Sequence, residues 1–156
     1  MNRSNRNILA LAAAAWVVSC AAAAAQAVQV EQIRVQLFYE NSGQLSDDLT
    51  RKKNLALWNT IIGEGDSGGP ATAFLASVVL KSKPNSLVKR EVVVTIMDDK
   101  KKAKVMEKRF SGLSFGKDGL LVKPVLVENR TCSPTTISVS TGSSTKSVTM
   151  PFECGE

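Results

Sequence analysis

Between residues 28 and 154 the chain is punctuated too often for long helices. Short runs rich in valine, isoleucine and threonine alternate with clusters of glycine, proline, asparagine and aspartate. No run carries a long apolar stripe at helical spacing. This punctuation restricts the chain to many short strands, as in a sandwich or barrel. In 28–39, Ile33, Val35, Leu37 and Tyr39 share one parity, whereas Val28 and Val30 fall on the other. A strand keeps its faces by strict alternation, so the slip predicts a bulge near Glu31 and Gln32. Residues 71–81 are apolar on both parities in places, as a central strand is. Strands follow at 88–97, 103–110 and 120–127. Pro124 offers no amide donor, which places the last of these at an edge or bulge. Residues 135–140 and 146–152 flank the turn-forming 141–144 and read as a hairpin.

Residues 44–66 admit two readings. Ser46, Asp47 and Asp48 could start a helix, with acids where its N-terminus favours them. Yet Leu55, Leu57, Trp58, Ile61 and Ile62 do not gather on one helical face. The reading adopted is a turn or single helical turn at 46–52 and a short strand at 55–61. Trp58, a lone tryptophan among leucines, is expected in the core. The fold class expected is all-β: one antiparallel β-sandwich domain over 28–156, immunoglobulin-like, with a β-barrel as the alternative.

The first 27 residues stand apart. Arg3 and Arg6 precede an apolar stretch, and small residues end in Ala25, Gln26 and Ala27. This is the pattern of a cleaved signal peptide, of bacterial character. The apolar part is shorter than the roughly 20 residues a spanning helix needs. Val17-Val18-Ser19-Cys20 also resembles a lipobox, which makes lipidation at Cys20 the competing export route. Either route leaves Cys132 and Cys154, which in an exported domain pair most simply as one disulfide. Removing Arg3 and Arg6 lowers the net charge from +6 to +4. The expected location is periplasmic or secreted, with an outer-membrane lipoprotein as the alternative and no transmembrane helix after processing.

Gly65-Asp66-Ser67-Gly68-Gly69-Pro70 resembles the segment around the nucleophilic serine of trypsin- and chymotrypsin-like proteases. The resemblance implies Ser67 as nucleophile, with the N–H groups of Gly65 and Ser67 as an oxyanion hole. That chemistry needs a base near neutral pH, which the family takes from histidine. This chain has no histidine, and residues 28–64 are too few for the first barrel that precedes the motif in that family. A serine–lysine pair would avoid the objection, with Lys81 or another lysine as base. The simpler reading is a flexible glycine-rich loop, with Glu64 and Asp66 as its contacts to a partner.

Other constellations are thin. Glu64 and Asp66 alternate as calcium ligands do, but a calcium loop needs more such positions. Two cysteines without histidine do not complete a usual zinc site, so no metal or cofactor is expected. Lys100, Lys101, Lys102 and Lys104 could touch phosphate, headgroups or an acidic polymer. Asp98 and Asp99 offset them and no aromatic residue interleaves, which argues against nucleic acid and for a charged hairpin tip. Asn129-Arg130-Thr131 spells a glycosylation sequon, relevant only in a eukaryotic secretory pathway. The functional expectation is a non-catalytic exported module that binds another envelope protein or supports an assembly. A carbohydrate- or calcium-binding module is the second reading, and a hydrolase using Ser67 the third.

Overall fold

A computed structural model describes residues 27–142 and 144–154. Those residues form strands and two short 3-10 turns. The readings of a signal peptide over 1–27 and of lipidation at Cys20 lie outside them, Ala27 apart. The long strands are β1 (Gln29–Tyr39), β4 (Ala73–Lys81), β6 (Val92–Asp98), β7 (Ala103–Phe110), β9 (Leu120–Val127), β10 (Thr135–Ser140) and β11 (Thr145–Met150). Two-residue strands complete the set: β2 (Gln44–Leu45), β3 (Leu57–Trp58), β5 (Leu87–Val88), β8 (Leu113–Ser114) and β12 (Phe152–Glu153).

Two four-stranded antiparallel sheets face each other, in the orders β2-β1-β4-β9 and β11-β10-β6-β7. The alternating faces of these strands build the core. Ile33, Val35 and Leu37 lie opposite Val78, Ala76 and Phe74 in register, and Val125 and Val127 continue the layer. Val92, Val94, Ile96, Ile137 and Val139 supply the facing layer. Among the long strands, the first, second and fifth share one sheet, and the third, sixth and seventh share the other. This division is compatible with an immunoglobulin-like sandwich, the fourth strand here having joined the third.

Several local expectations are met with their causes visible. The β1–β4 register shifts between Val30 and Gln32, so Glu31 occupies the bulge that the parity slip predicts. Pro124 sits on β9, an edge strand. The 44–51 stretch covers the outer edge of β1. Ser46 Oγ accepts from the Leu37 amide at 2.9 Å and Asp48 Oδ1 from the Val35 amide at 3.2 Å. Asp48 also caps the 3-10 turn Leu49–Arg51 by accepting from the Thr50 amide. An exposed edge invites pairing with another chain, and these side chains block it. At the opposite rim, Lys108 of β7 and Lys123 of β9 place ammonium groups 5.9 and 5.5 Å from the Phe110 ring centre. Their apolar stems close the gap between the sheets while the charges stay wet.

The Cys132–Cys154 disulfide is formed, with Cα atoms 4.6 Å apart. It joins the segment before β10 to the residue after β12. One pairing departs from the antiparallel rule. β12 pairs in parallel with β3, setting Phe152 beside Leu57 and Glu153 beside Trp58. Pro151 interrupts the chain after β11, so 152–153 leaves the hairpin partner and pairs elsewhere. The Phe152 ring stacks on Phe74 with centroids 5.2 Å apart.

A bridge across a 22-residue separation restricts the unfolded chain. The double variant Cys132→Ser/Cys154→Ser is expected to lose about 3 kcal/mol of unfolding free energy. Urea unfolding of the oxidised wild-type protein beside the double variant checks this, and a loss below about 1 kcal/mol would contradict it.

Candidate functional site at the disulfide end

The connection from residue 52 to residue 72 is the longest irregular stretch in the sandwich, and it is held at almost every turn. β3 alternates as a strand must: Leu57 enters the core and Trp58 faces outward at 48% exposure. This overturns the expectation that Trp58 packs inside. Parallel pairing with β12 gives the inward place to Leu57, and neighbours in a strand cannot share a face. The turn from Asn59 to Gly63 follows, with the Asn59 carbonyl accepting from the Ile62 amide at 3.1 Å. Ile61 and Ile62 at this turn are 46% and 62% exposed. Three large apolar side chains thus stand in water within five residues of chain.

A closed set of buried hydrogen bonds fixes the turn from beneath. Thr60 Oγ1 donates to the Thr131 carbonyl at 2.8 Å and Thr131 Oγ1 to the Ala71 carbonyl at 3.0 Å. The Ala71 amide donates back to the Thr60 carbonyl at 2.9 Å. Thr60, Ala71 and Thr131 are all buried. Buried backbone groups must find partners, and these find one another. Cys132 follows Thr131 directly, so the disulfide anchors the same strut.

The Gly65–Pro70 segment is therefore not the flexible loop its glycines suggest. The Asp66 amide donates to the Ala56 carbonyl at 2.7 Å, and Asp66 Oδ2 accepts from the Ala56 amide at 2.8 Å. Glu64 Oε2 accepts from the Asn59 side-chain amide at 2.8 Å. The two carboxylates that read as partner contacts thus make hydrogen bonds within the loop. Ser67 is buried, its Oγ donates to the Glu64 carbonyl at 2.9 Å, and its own carbonyl accepts from the Tyr39 hydroxyl. Burial raises the Tyr39 phenol above its usual range, which keeps it a donor. The glycines answer to space. Gly65 has φ +67°, and a Cβ there would lie 2.4 Å from the Ala56 carbonyl oxygen. Gly68, at φ +72°, lies against the Tyr39 hydroxyl.

Lys81 is no base for Ser67. Tyr39, which holds Ser67, ends β1 beside the start of β4, whereas Lys81 ends β4 opposite Gln29. Eight strand residues separate those ends by about 26 Å. Lys81 instead faces Glu31 at 3.9 Å. No group of three or more His, Cys, Asp or Glu side chains that could hold a metal occurs among the described residues. No described helix is long and apolar enough to cross a membrane.

The lysine run takes its expected place at the β6–β7 hairpin tip, but a buried carboxylate lies beneath it. Asp98 is 2% exposed. Its Oδ1 accepts from the Lys101 amide at 2.9 Å and from Ser133 Oγ at 2.7 Å. Arg130 Nη1 lies 3.8 Å from its Oδ2. Asn129, the sequon residue, is exposed with φ +55° just before Arg130. No protein-family model matches the chain, and no similar curated protein was found.

Two outcomes follow from this geometry. Gly65→Ala forces a side chain into the Ala56 carbonyl and is expected to lower stability by about 2 kcal/mol or more. Ser67→Ala removes one hydrogen bond and is expected to lower it by about 1 kcal/mol. Thermal and urea unfolding order the two, and the reverse order would refute the packing role of Gly65. The Lys101 amide, then the Ser133 hydroxyl, hold the Asp98 carboxyl below its usual range. A lowered folded-state value stabilises the fold above the unfolded carboxylate range, and that stability is lost as pH falls through it. Asp98→Asn is expected to be less stable at pH 7 and to flatten the decline in stability below about pH 4. Unfolding free energies from pH 2 to 7 test this.

Proposed function

We propose that this chain is an exported, non-catalytic β-sandwich module that binds a protein partner through the turn bearing Trp58, Ile61 and Ile62. The observation that carries the reading is the exposure of these three side chains on a segment held by the Thr60–Ala71–Thr131 hydrogen bonds. Tryptophan anchors protein interfaces because it removes a large apolar area from water at little conformational cost. A rigid turn loses less entropy on association than a flexible one. Export is supported by the basic, then apolar, then small-residue pattern of 1–27 and by the disulfide.

An exposed tryptophan also suits the face of a sugar ring, which keeps carbohydrate binding as the second reading. The flanking Ile61 and Ile62 favour a protein surface, because a sugar needs polar groups beside the ring. Catalysis by Ser67 is the weaker reading, since its hydroxyl is buried and bonded to the Glu64 carbonyl.

A photo-crosslinking side chain at Ile62 is expected to trap one discrete protein species in the native envelope. Trp58→Ala should abolish that product while changing stability by less than about 0.5 kcal/mol, as for an exposed site. A product unaffected by Trp58→Ala would remove the turn from the interface. Quenching of Trp58 fluorescence by soluble glycans, without any protein crosslink, would replace the protein reading with the carbohydrate one.

A further inference from the structure

The hairpin tip and the disulfide strut enclose a pocket of about 300 Å³. Lys100 and Lys101 line one side, and Asn129, Arg130 and Ser133 line the other, with Asp98 also in the lining. We propose that this pocket binds an oxyanion, a phosphate or carboxylate group, between the ammonium groups of Lys100 and Lys101 and the guanidinium of Arg130. The inference is independent of the partner-binding turn, because it rests on other residues and another chemistry.

The charge balance supports it. Three cations line the pocket against one carboxylate. The Asp98 carboxylate is already met by the Lys101 amide, the Ser133 hydroxyl and the Arg130 guanidinium. Its neighbour Asp99 accepts from Thr136 Oγ1 at 2.7 Å and does not line the pocket. Among the described residues, neither Lys100 nor Lys101 forms an ion pair. Lys104, by contrast, is paired with Glu107 at 2.8 Å. Lys100 and Lys101 thus keep ammonium donors beside the pocket, Lys101 within the field of Asp98, while Arg130 is held in place by Asp98.

The arrangement is also built for the purpose. Asp98 fixes both walls at once: Lys101 through its backbone, and the 129–133 strut through Ser133 and Arg130. The disulfide at Cys132 secures that strut. Charged donors in a concave site act in a lower effective dielectric than on a flat surface, where salt screens them. Arginine adds a planar fork that matches two oxygens of one anion.

The test uses the processed, oxidised protein and amide spectra at constant ionic strength. Inorganic phosphate replaces chloride in one arm and acetate replaces it in the other. Saturable shifts are expected at the Lys101 and Ser133 amides. Lys100→Ser/Lys101→Ser should weaken the phosphate response at least tenfold, whereas Lys52→Ser/Lys53→Ser, which removes the same charge elsewhere, should leave it unchanged. Arg130→Lys keeps the charge but loses the fork, and is expected to weaken phosphate binding to a smaller extent. A response to both anions identifies a general oxyanion site, and a response to phosphate alone restricts it to phosphate. Absence of saturable shifts with either anion, or equal weakening by the two double lysine variants, overturns the proposal.

Discussion

The closed set of hydrogen bonds among Thr60, Ala71 and Thr131 is what the disulfide end of the sandwich depends on. Residues 60 and 131 are 71 positions apart, and both hydroxyls donate to carbonyls away from water. Water cannot replace these bonds at a site so buried, so breaking one leaves polar groups unpaired. The long 52–72 connection would otherwise contribute its full backbone freedom to the cost of folding. Tied at Thr60 and Ala71, it becomes a short turn on a fixed base. Cys132 follows Thr131, so the covalent staple and the hydrogen-bonded one act on a single strut.

That clamp accounts for a motif that otherwise points to catalysis. Gly65 passes where a Cβ would meet the Ala56 carbonyl, and Gly68 turns in the left-handed region under the Tyr39 hydroxyl. Asp66 bonds both backbone groups of Ala56, and Ser67 returns its hydroxyl to the Glu64 carbonyl. Glycine, aspartate and serine are residues that make tight turns, whatever the turn is for. The likeness to a protease segment is a likeness of turn chemistry over six residues.

The parts of the fold legible in the sequence were those written in local period. Parity placed Ile33, Val35 and Leu37 inward and marked the bulge at Glu31. A missing amide placed Pro124 on an edge strand. The parts that stayed hidden depend on contacts distant in sequence. Trp58 is outside because Leu57 pairs beside Phe152, nearly a hundred residues on. Nothing within the window around Trp58 encodes that choice. Arg130 reads as a sequon residue until tertiary structure sets it above Asp98. The hydrogen bonds of Glu64 to Asn59 and of Asp66 to Ala56 are short in sequence but depend on turn geometry that residue type alone does not specify.

The strut of 129–133 links the apolar turn and the cationic pocket. Thr131 supports the apolar turn from below, and Arg130 and Ser133 face the cationic pocket. The chain turns through 129–133 instead of running extended, so Thr131 meets Thr60 while Arg130 and Ser133 both line the pocket. Both surfaces are also fixed before any ligand arrives. Preorganised groups give up less conformational freedom on binding, and directed donors need less rearrangement to meet an anion. A small sandwich has little core to spare for holding loops rigid. Placing a disulfide at Cys132, within this strut, concentrates rigidity beside the exposed tryptophan and the cationic pocket.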